Sequence, residues 1–443
     1  MDELLGVARQ AVQLALESGA TEAEATAAVS QRFATEARDT TISKLEQSTG
    51  RSLGVRVFID GAKSSLATSD LSADGLRAMV REAVGTARFV ERDSLGGLPD
   101  DFGKPGPVES LEIYFDDVLA REAEEKIAEV RTLEELIRAY DPRIDNSSGS
   151  RVSDAVASIA FANSRGFEGS YRSSSAVRMT NPVARDGDDK RNAAYGSAAR
   201  TYADLESTLE VATEAARRAI GMCGARKPPT TRLPVIFERD VAAAVLGDIF
   251  TALNAANVAV GNSFLIGRVG ERIGSEAVTL IDDGRIPRAL GTAPFDAEGV
   301  ATRRTIVFER GTLRTYLYDT YYGRKLGAAS TGNAAHGGIG PSNFYLEAGE
   351  KSLEELIAST RRGVFVLDTI GFSSESVSGA YSRGARGMMI EDGELAYPID
   401  EFTISGKLPD MLAAIDAVAN DLRFDGSITS PSFRIAEMTI SGN

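Results

Sequence analysis

Pro228-Pro229, inside the run Lys227-Pro228-Pro229-Thr230, is the strongest constraint this chain places on its own fold. Two consecutive prolines fix φ, remove two backbone donors and push the preceding residue into an extended conformation, so no helix runs through them. The texture of the sequence changes at the same place. Helical and strand-like stretches alternate before it, and short β-patterned segments separated by glycine turns dominate after it. The expected class is α+β. A mixed N-terminal α/β domain covers residues 1–228, including a central part from about 115, and a mostly β C-terminal domain with a few helices covers 229–443. A chain of 443 residues is also too long for one core.

In the first domain, Leu4, Ala8, Ala11 and Ala15, flanked by Leu5, Val12 and Leu16, recur at helical spacing over 2–17, and Gly19 ends the helix. Alternating segments follow over 23–68, where Val55, Val57 and Ile59 face one way and Asp60-Gly61 makes a hairpin turn. A second helix is expected over 73–90, then a Gly- and Pro-rich loop over 93–107. The helix over 118–140 stops before Pro142, and its alternating charges from Arg121 to Arg138 read as a solvated face. Strand alternation resumes over 155–162 and 169–179, and a helix over 205–222 closes this half. Beyond the prolines, 233–237 reads as a buried strand and 239–253 as a helix. From 278 onward strands are expected, with Asp283-Gly284, Arg310-Gly311 and Asp392-Gly393 as hairpin turns. Two helices interrupt them, one capped by Ser352 through its spacing to Glu355 and one starting near Pro409.

The inventory of side chains limits the chemistry. There is one histidine, His336, and one cysteine, Cys223. A zinc centre takes three or four ligands, mostly imidazole and thiolate, so a self-contained zinc hydrolase is excluded while a carboxylate-only magnesium or calcium site stays open. Ser-His-Asp and Cys-His chemistry needs a histidine base, and only one exists. A net charge of −15 argues against a nucleic-acid partner. No apolar run approaches the roughly 20 residues that span a bilayer; the stretch 241–250 is broken by Asp248. The start Met1-Asp2-Glu3 lacks a signal-peptide pattern, and a lone cysteine forms no internal disulfide, so a cytoplasmic location is expected.

Cys223 reads as a small apolar packing residue, and Asp282-Asp283, before Gly284, as turn chemistry. Tyr316, Tyr318, Tyr321 and Tyr322 read as an aromatic cluster for core or interface packing. The glycine-rich loop 331–343 is either a close-approach element for a ligand or a plain connection between strands; it has no Walker or Rossmann spacing. His336 within it is either a solvated side chain or a ligand donated across an interface.

Several segments resemble the TldD/PmbA (TldE) family, long labelled modulators of DNA gyrase and now understood as metallopeptidases. They include Leu53-Gly54-Val55-Arg56-Val57-Phe58, Leu280-Ile281-Asp282-Asp283-Gly284, Gly291-Thr292-Ala293-Pro294-Phe295-Asp296-Ala297-Glu298-Gly299-Val300 and Tyr316-Leu317-Tyr318-Asp319-Thr320. Thr331-Gly332-Asn333-Ala334, Gly340-Pro341-Ser342-Asn343, Tyr381-Ser382-Arg383-Gly384-Ala385 and Tyr397-Pro398-Ile399-Asp400-Glu401 continue the series in order. The resemblance implies a helix that carries His-Glu-x-x-x-His in TldD-type members, with a further cysteine ligand near the C-terminus. Here Gly247, Asp248 and Ala252 stand at the three motif positions, and the matching stretch Gly426–Ser432 has no cysteine. A slip of a residue in this placement creates no histidine.

By resemblance, then, the chain is of the PmbA/TldE type, binding no cofactor itself, and zinc is expected in a TldD-type partner chain with which it forms a heterodimer. The pair is expected to cleave unfolded or flexible peptides; family substrates include a peptide-antibiotic precursor and an antitoxin. This chain would shape the cavity and bind peptide, with Gly332, Asn333, Gly340, Ser342 and Asn343 as candidate substrate contacts. Two other readings stand beside it. One is a stand-alone homodimeric peptide-binding or scaffold protein without protease activity, and the other is a carboxylate-metal hydrolase using Asp248.

Overall fold

Alternating apolar residues build one antiparallel sheet from the first half of the chain. In the computed structural model, which describes residues 1–371 and 375–442, its order is Ala62–Thr68, Thr41–Ile59, Glu22–Arg38, Ile144–Asn163, Glu168–Asp186 and Asp189–Asn192. Tyr195–Ala199 also pairs with Glu168–Asp186. The central pairing, Glu24 opposite Asn163 through Ala37 opposite Ser150, joins segments more than a hundred residues apart into one layer. Helices Asp2–Glu17 and Ala73–Ala87 bury Ala8, Ala11, Leu76 and Val80 against Leu53, Val55 and Val57. Helices Ala123–Tyr140 and Thr208–Gly221 form a second core with Val152, and Ser207 and Glu210 cap the latter reciprocally.

After Pro229 the chain forms different sheets. One runs Glu394–Lys407, Ala380–Glu391, Arg362–Ile370, Thr231–Phe237, Phe433–Ser441 and Ile415–Val418, and a further pairing of Glu394–Lys407 with Phe433–Ser441 closes it on itself. A second runs Thr312–Leu313, Arg304–Glu309, Leu280–Asp283, Phe344–Leu346 and Ile428–Thr429. Helix Arg239–Leu253 is packed into the common core, with Val241, Val245, Leu246, Ile249 and Leu253 buried. Each such side chain contributes roughly 1.5–3 kcal/mol by leaving water. The fold is α+β, as expected. No helix among the described residues is long and apolar enough to cross a membrane.

Several sequence expectations need correction. The 118–140 helix is two, Asp117–Ala120 and Ala123–Tyr140, because Arg121 and Glu122 are extended and Arg121 turns to meet Glu129 and the Tyr202 ring. Its charged run is a solvated face only in part: Glu122, Glu124, Glu125, Arg131 and Glu135 are exposed. Lys126, Glu129 and Glu134 are buried, paired with Asp154, with Arg121 and Arg178, and with the Ser147 and Ser150 hydroxyls. The second helix ends at Ala87, short of residue 90. Asp283-Gly284 makes no hairpin: residues 284–303 form a long excursion before the partner strand Arg304–Glu309, and Gly284 serves close packing, since a Cβ there would lie 2.5 Å from Thr302. A third helix interrupts the late strands, Thr320–Leu326, capped by Asp319 and ended by left-handed Gly327. The four tyrosines form two separate edge-on pairs, Tyr316–Tyr318 and Tyr321–Tyr322. Cys223 is part-buried beside Ile144 and Ala219, and burial pushes its thiol up.

Candidate functional site

Two places gather the residues singled out from the sequence. The first is helix Arg239–Leu253. Its N-cap Glu238 accepts from Asp240 N–H and pairs with Arg218 at 2.8 Å. Further along, Gly247 has open space where a Cβ would point, whereas Ala252 is completely buried. Asp248 is not idle: Arg383 Nη2 donates to its two oxygens at 3.0 and 2.7 Å, and the pair is nearly sealed, 14% and 11% exposed. The strand Ile428–Thr429 packs on this helix, so the C-terminal stretch that resembles a ligand-bearing segment does lie beside it.

Next to the helix is a cavity of about 460 Å³ whose lining includes Ala244, Arg218, Arg383, Arg386, Asp240 and Asp368. Its guanidinium groups are matched within the protein, Arg218 with Glu214 and Glu238, Arg383 with Asp248, and Arg386 with Asp368. A zinc ion does not fit here. Its positive charge would compete with Arg383 for Asp248, and a histidine at position 252 would have to enter a filled core. Among the described residues no group of three or more His, Cys, Asp or Glu side chains is placed to hold a metal. The same geometry removes the support for a carboxylate-metal hydrolase built on Asp248.

The second place is the loop 331–343. Ala334–Ala335 and Gly338–Ile339 pair as a small hairpin, and His336 is exposed in its turn. Gly332, Asn333, Gly340 and Ser342 line a cavity of about 230 Å³ with His336 at its rim, while Thr26, Ile159, Phe161 and Tyr171 of the N-terminal sheet form the opposite wall. Asn343 does not line it. It is fully buried behind the wall, where its amide donates to Asp283 O and Thr292 Oγ1 and accepts from Gly291 N–H. Gly291 must be glycine, since a Cβ would lie 1.8 Å from Ser342 O.

Two carboxyl groups that sequence reasoning missed hold this loop. Asp282 is not turn chemistry; it is buried, accepting from Asn333 Nδ2 at 2.7 Å and from Ser342 N–H at 2.8 Å. Asp283 does serve a turn, accepting from Arg285 N–H. Asp296 accepts from Glu298, Val300 and Ala334 N–H groups, each at 2.9 Å. Burial pushes Asp282 up to about 6 and Asp296 up to about 7, the latter helped by nearby Glu298. The Asp282 partners lie 51 and 60 residues away and Ala334 lies 38 residues from Asp296, beyond any local pattern, whereas Glu298 and Val300 close a local turn on Asp296.

The two halves of the chain are tied together at this cavity. Arg56 bridges Glu24 at 2.7 Å and Glu298 at 3.2 Å, and Glu298 also accepts from Thr320 N–H. Burial pushes Glu24 up to about 8. Arg200 reaches across to accept-only partners, donating to the carbonyls of Ala289, Leu290 and Thr292. Phe295 packs against Phe161, Phe167 and Tyr171 of the other half, its ring centroid 5.4–6.0 Å from theirs.

Comparison with known proteins agrees with the resemblance read from the sequence. Residues 230–442 match the PmbA/TldA metallopeptidase C-terminal domain, 116–222 the central domain and 23–87 domain 1. The chain is 31% identical over 435 residues to a Haemophilus influenzae protein named Metalloprotease PmbA homolog, covering 98% of this chain and 95% of that one. A Bacteroides thetaiotaomicron crystal structure, described as a proposed modulator of DNA gyrase, is similar with a TM-score of 0.92 at 27% identity, over 100% of both chains. TldE from Thermococcus kodakarensis, at 22% identity, shares the fold with a TM-score of 0.86, over 98% of this chain and 99% of that one.

Proposed function

Because the chain belongs to the PmbA/TldD metallopeptidase family, we propose that it is the non-catalytic, PmbA/TldE-type subunit of a heterodimeric zinc peptidase acting on unfolded or flexible peptides. A TldD-type partner holds the zinc and performs the hydrolysis. This chain completes the enclosure and holds substrate, with the 331–343 loop as the peptide-facing element. The observation that carries this reading is the helix Arg239–Leu253: its motif positions are Gly247, an Asp248 neutralised by Arg383, and a core-packed Ala252. Zinc peptidases need a metal to polarise the carbonyl and activate water, and a base to take the proton. Neither is supplied by a glycine, an ion-paired aspartate and a buried alanine.

The test is to purify the chain alone and together with a TldD-type chain that carries the His-Glu-x-x-x-His helix. Zinc content and cleavage of an unstructured peptide are then measured for each. The expected result is a stable one-to-one complex with zinc and activity, and neither in the lone chain. Stoichiometric zinc and cleavage in the lone chain would overturn the assignment. Failure to associate with any such partner, with a homodimer by light scattering, would favour the stand-alone binding protein instead.

A further inference from the structure

The cavity under the 331–343 loop presents acceptors that the chain itself leaves short of donors. Asp296 lines it, and among the described residues no Lys or Arg does. The Asp296 carboxyl is unevenly used: Oδ1 accepts from the Glu298 and Val300 N–H groups, whereas Oδ2 accepts from Ala334 N–H alone. A carboxylate oxygen offers two lone pairs, so Oδ2 has one to spare. Asn333 lines the same cavity and is 3% exposed. Its Nδ2 donates to Asp282 Oδ2 at 2.7 Å and to Gly340 O at 3.1 Å. A carbonyl only accepts, so the amide cannot be turned over without losing a bond. Its Oδ1 is left buried with no partner, and burial makes an unmet acceptor costly. Because Ala334 follows Asn333 directly, the two acceptors come from neighbouring points of one wall.

Charge and ring faces call for the same guest. Glu24 and Glu298 stand behind Asp296 and share one guanidinium, Arg56; exposed Lys63 adds a smaller attraction. Burial, then Glu298, pushes Asp296 up to about 7, and a cation beside it would supply the opposite charge that favours the ionised form. Phe161, Tyr171 and Phe295 line the cavity too, and aromatic faces attract cations. The volume, about 230 Å³, is below the roughly 300–1,000 Å³ of drug-sized sites and suits a small head group. We propose that this cavity binds a primary ammonium group, which donates to Asp296 Oδ2 and Asn333 Oδ1 and lies among the rings of Phe161, Tyr171 and Phe295. A peptide N-terminus, a lysine side chain and a free alkylamine all carry that head group. The inference stands apart from the subunit assignment and does not depend on it.

The experiment is titration calorimetry on the full chain in an amine-free buffer. The probes are n-butylammonium, neutral n-butanol, the anion butyrate, and tetramethylammonium, a cation without N–H donors. Butylammonium is expected to bind roughly tenfold or more tighter than each of the others. Ala335→Phe, at an exposed position of the cavity lip, is expected to keep the melting temperature and abolish that binding. Asp296→Asn is expected to weaken it roughly tenfold; should D296N not fold, the probe series and A335F decide. Gly/Ser peptides then assign the source: one with a free N-terminus, an N-acetylated control, and an N-acetylated peptide with a central Lys. A gain over the control for the first assigns an N-terminus, for the last a side chain, and for neither a free amine; the site stands in each case. No butylammonium binding, equal binding of butanol or tetramethylammonium, or undiminished binding in A335F would overturn it. None of these results touches the zinc and association measurements that test the subunit assignment.

Discussion

Asp248 and Arg383 form the pair on which the reading of helix Arg239–Leu253 turns. Both oxygens of the carboxylate face one guanidinium nitrogen in a nearly closed setting. Removing one partner of a buried ion pair strands the other charge, at a cost of about 3–5 kcal/mol when burial is complete. For Asp248→Ala we expect about 3 kcal/mol less stability by urea unfolding, given the small remaining exposure. Cleavage per folded complex should be unchanged. Loss of cleavage with stability intact would return Asp248 to the chemistry. The sequence singled out Asp248 because of where it stands on the helix, but it could not single out Arg383, which is 135 residues away. The bracing roles of Asp282 and Asp296 escaped for the same reason: the groups that tie them to the 331–343 loop, Asn333 Nδ2 and Ser342 N–H for one and Ala334 N–H for the other, come from distant segments.

At the scale of elements, the glycines of the helix and of the cavity wall should respond oppositely. Gly247 sits in a helix interior with nothing within 4 Å of a Cβ. Gly247→Ala is therefore expected to stabilise by about 0.5–1 kcal/mol. Gly291→Ala would drive a Cβ against Ser342 O and separate the 291 and 342 segments, lowering stability by about 3 kcal/mol. Thermal melting of both variants checks the pair; a neutral Gly291→Ala would mean that the wall is looser than described. Long periodic elements were legible without the structure. Helices Asp2–Glu17 and Arg239–Leu253 carry three or more turns of apolar spacing. Thr320–Leu326 is too short to show a period, and its limits are set by the Asp319 cap and left-handed Gly327. Asp283-Gly284 has the composition of a turn, yet Thr302 packs against that glycine and the strand partner comes after the excursion.

At the scale of the molecule, the junction between the two halves should make stability depend on pH. Glu24, Asp282 and Asp296 are all pushed up by burial, to about 8, 6 and 7. In the unfolded chain such carboxyls titrate near 4. Each therefore holds its proton more tightly when folded, so its contribution is complete below about pH 4 and is lost as pH rises through 6 to 8. The urea midpoint should fall steadily between pH 5 and pH 8.5, and a rise over that range would contradict the described cluster. The sequence by itself determined the class of fold and, through one histidine and one cysteine, how few imidazole and thiolate ligands the chain can offer a metal. Both follow from local information: periodicity repeats within a few residues, and an inventory needs no geometry. Only the tertiary structure decided that Arg383 neutralises Asp248, that two buried acids brace the 331–343 loop, and that an apolar cavity opens between the halves. Those depend on which distant segments the packing brings within hydrogen-bond reach, and no spacing along the chain encodes that distance.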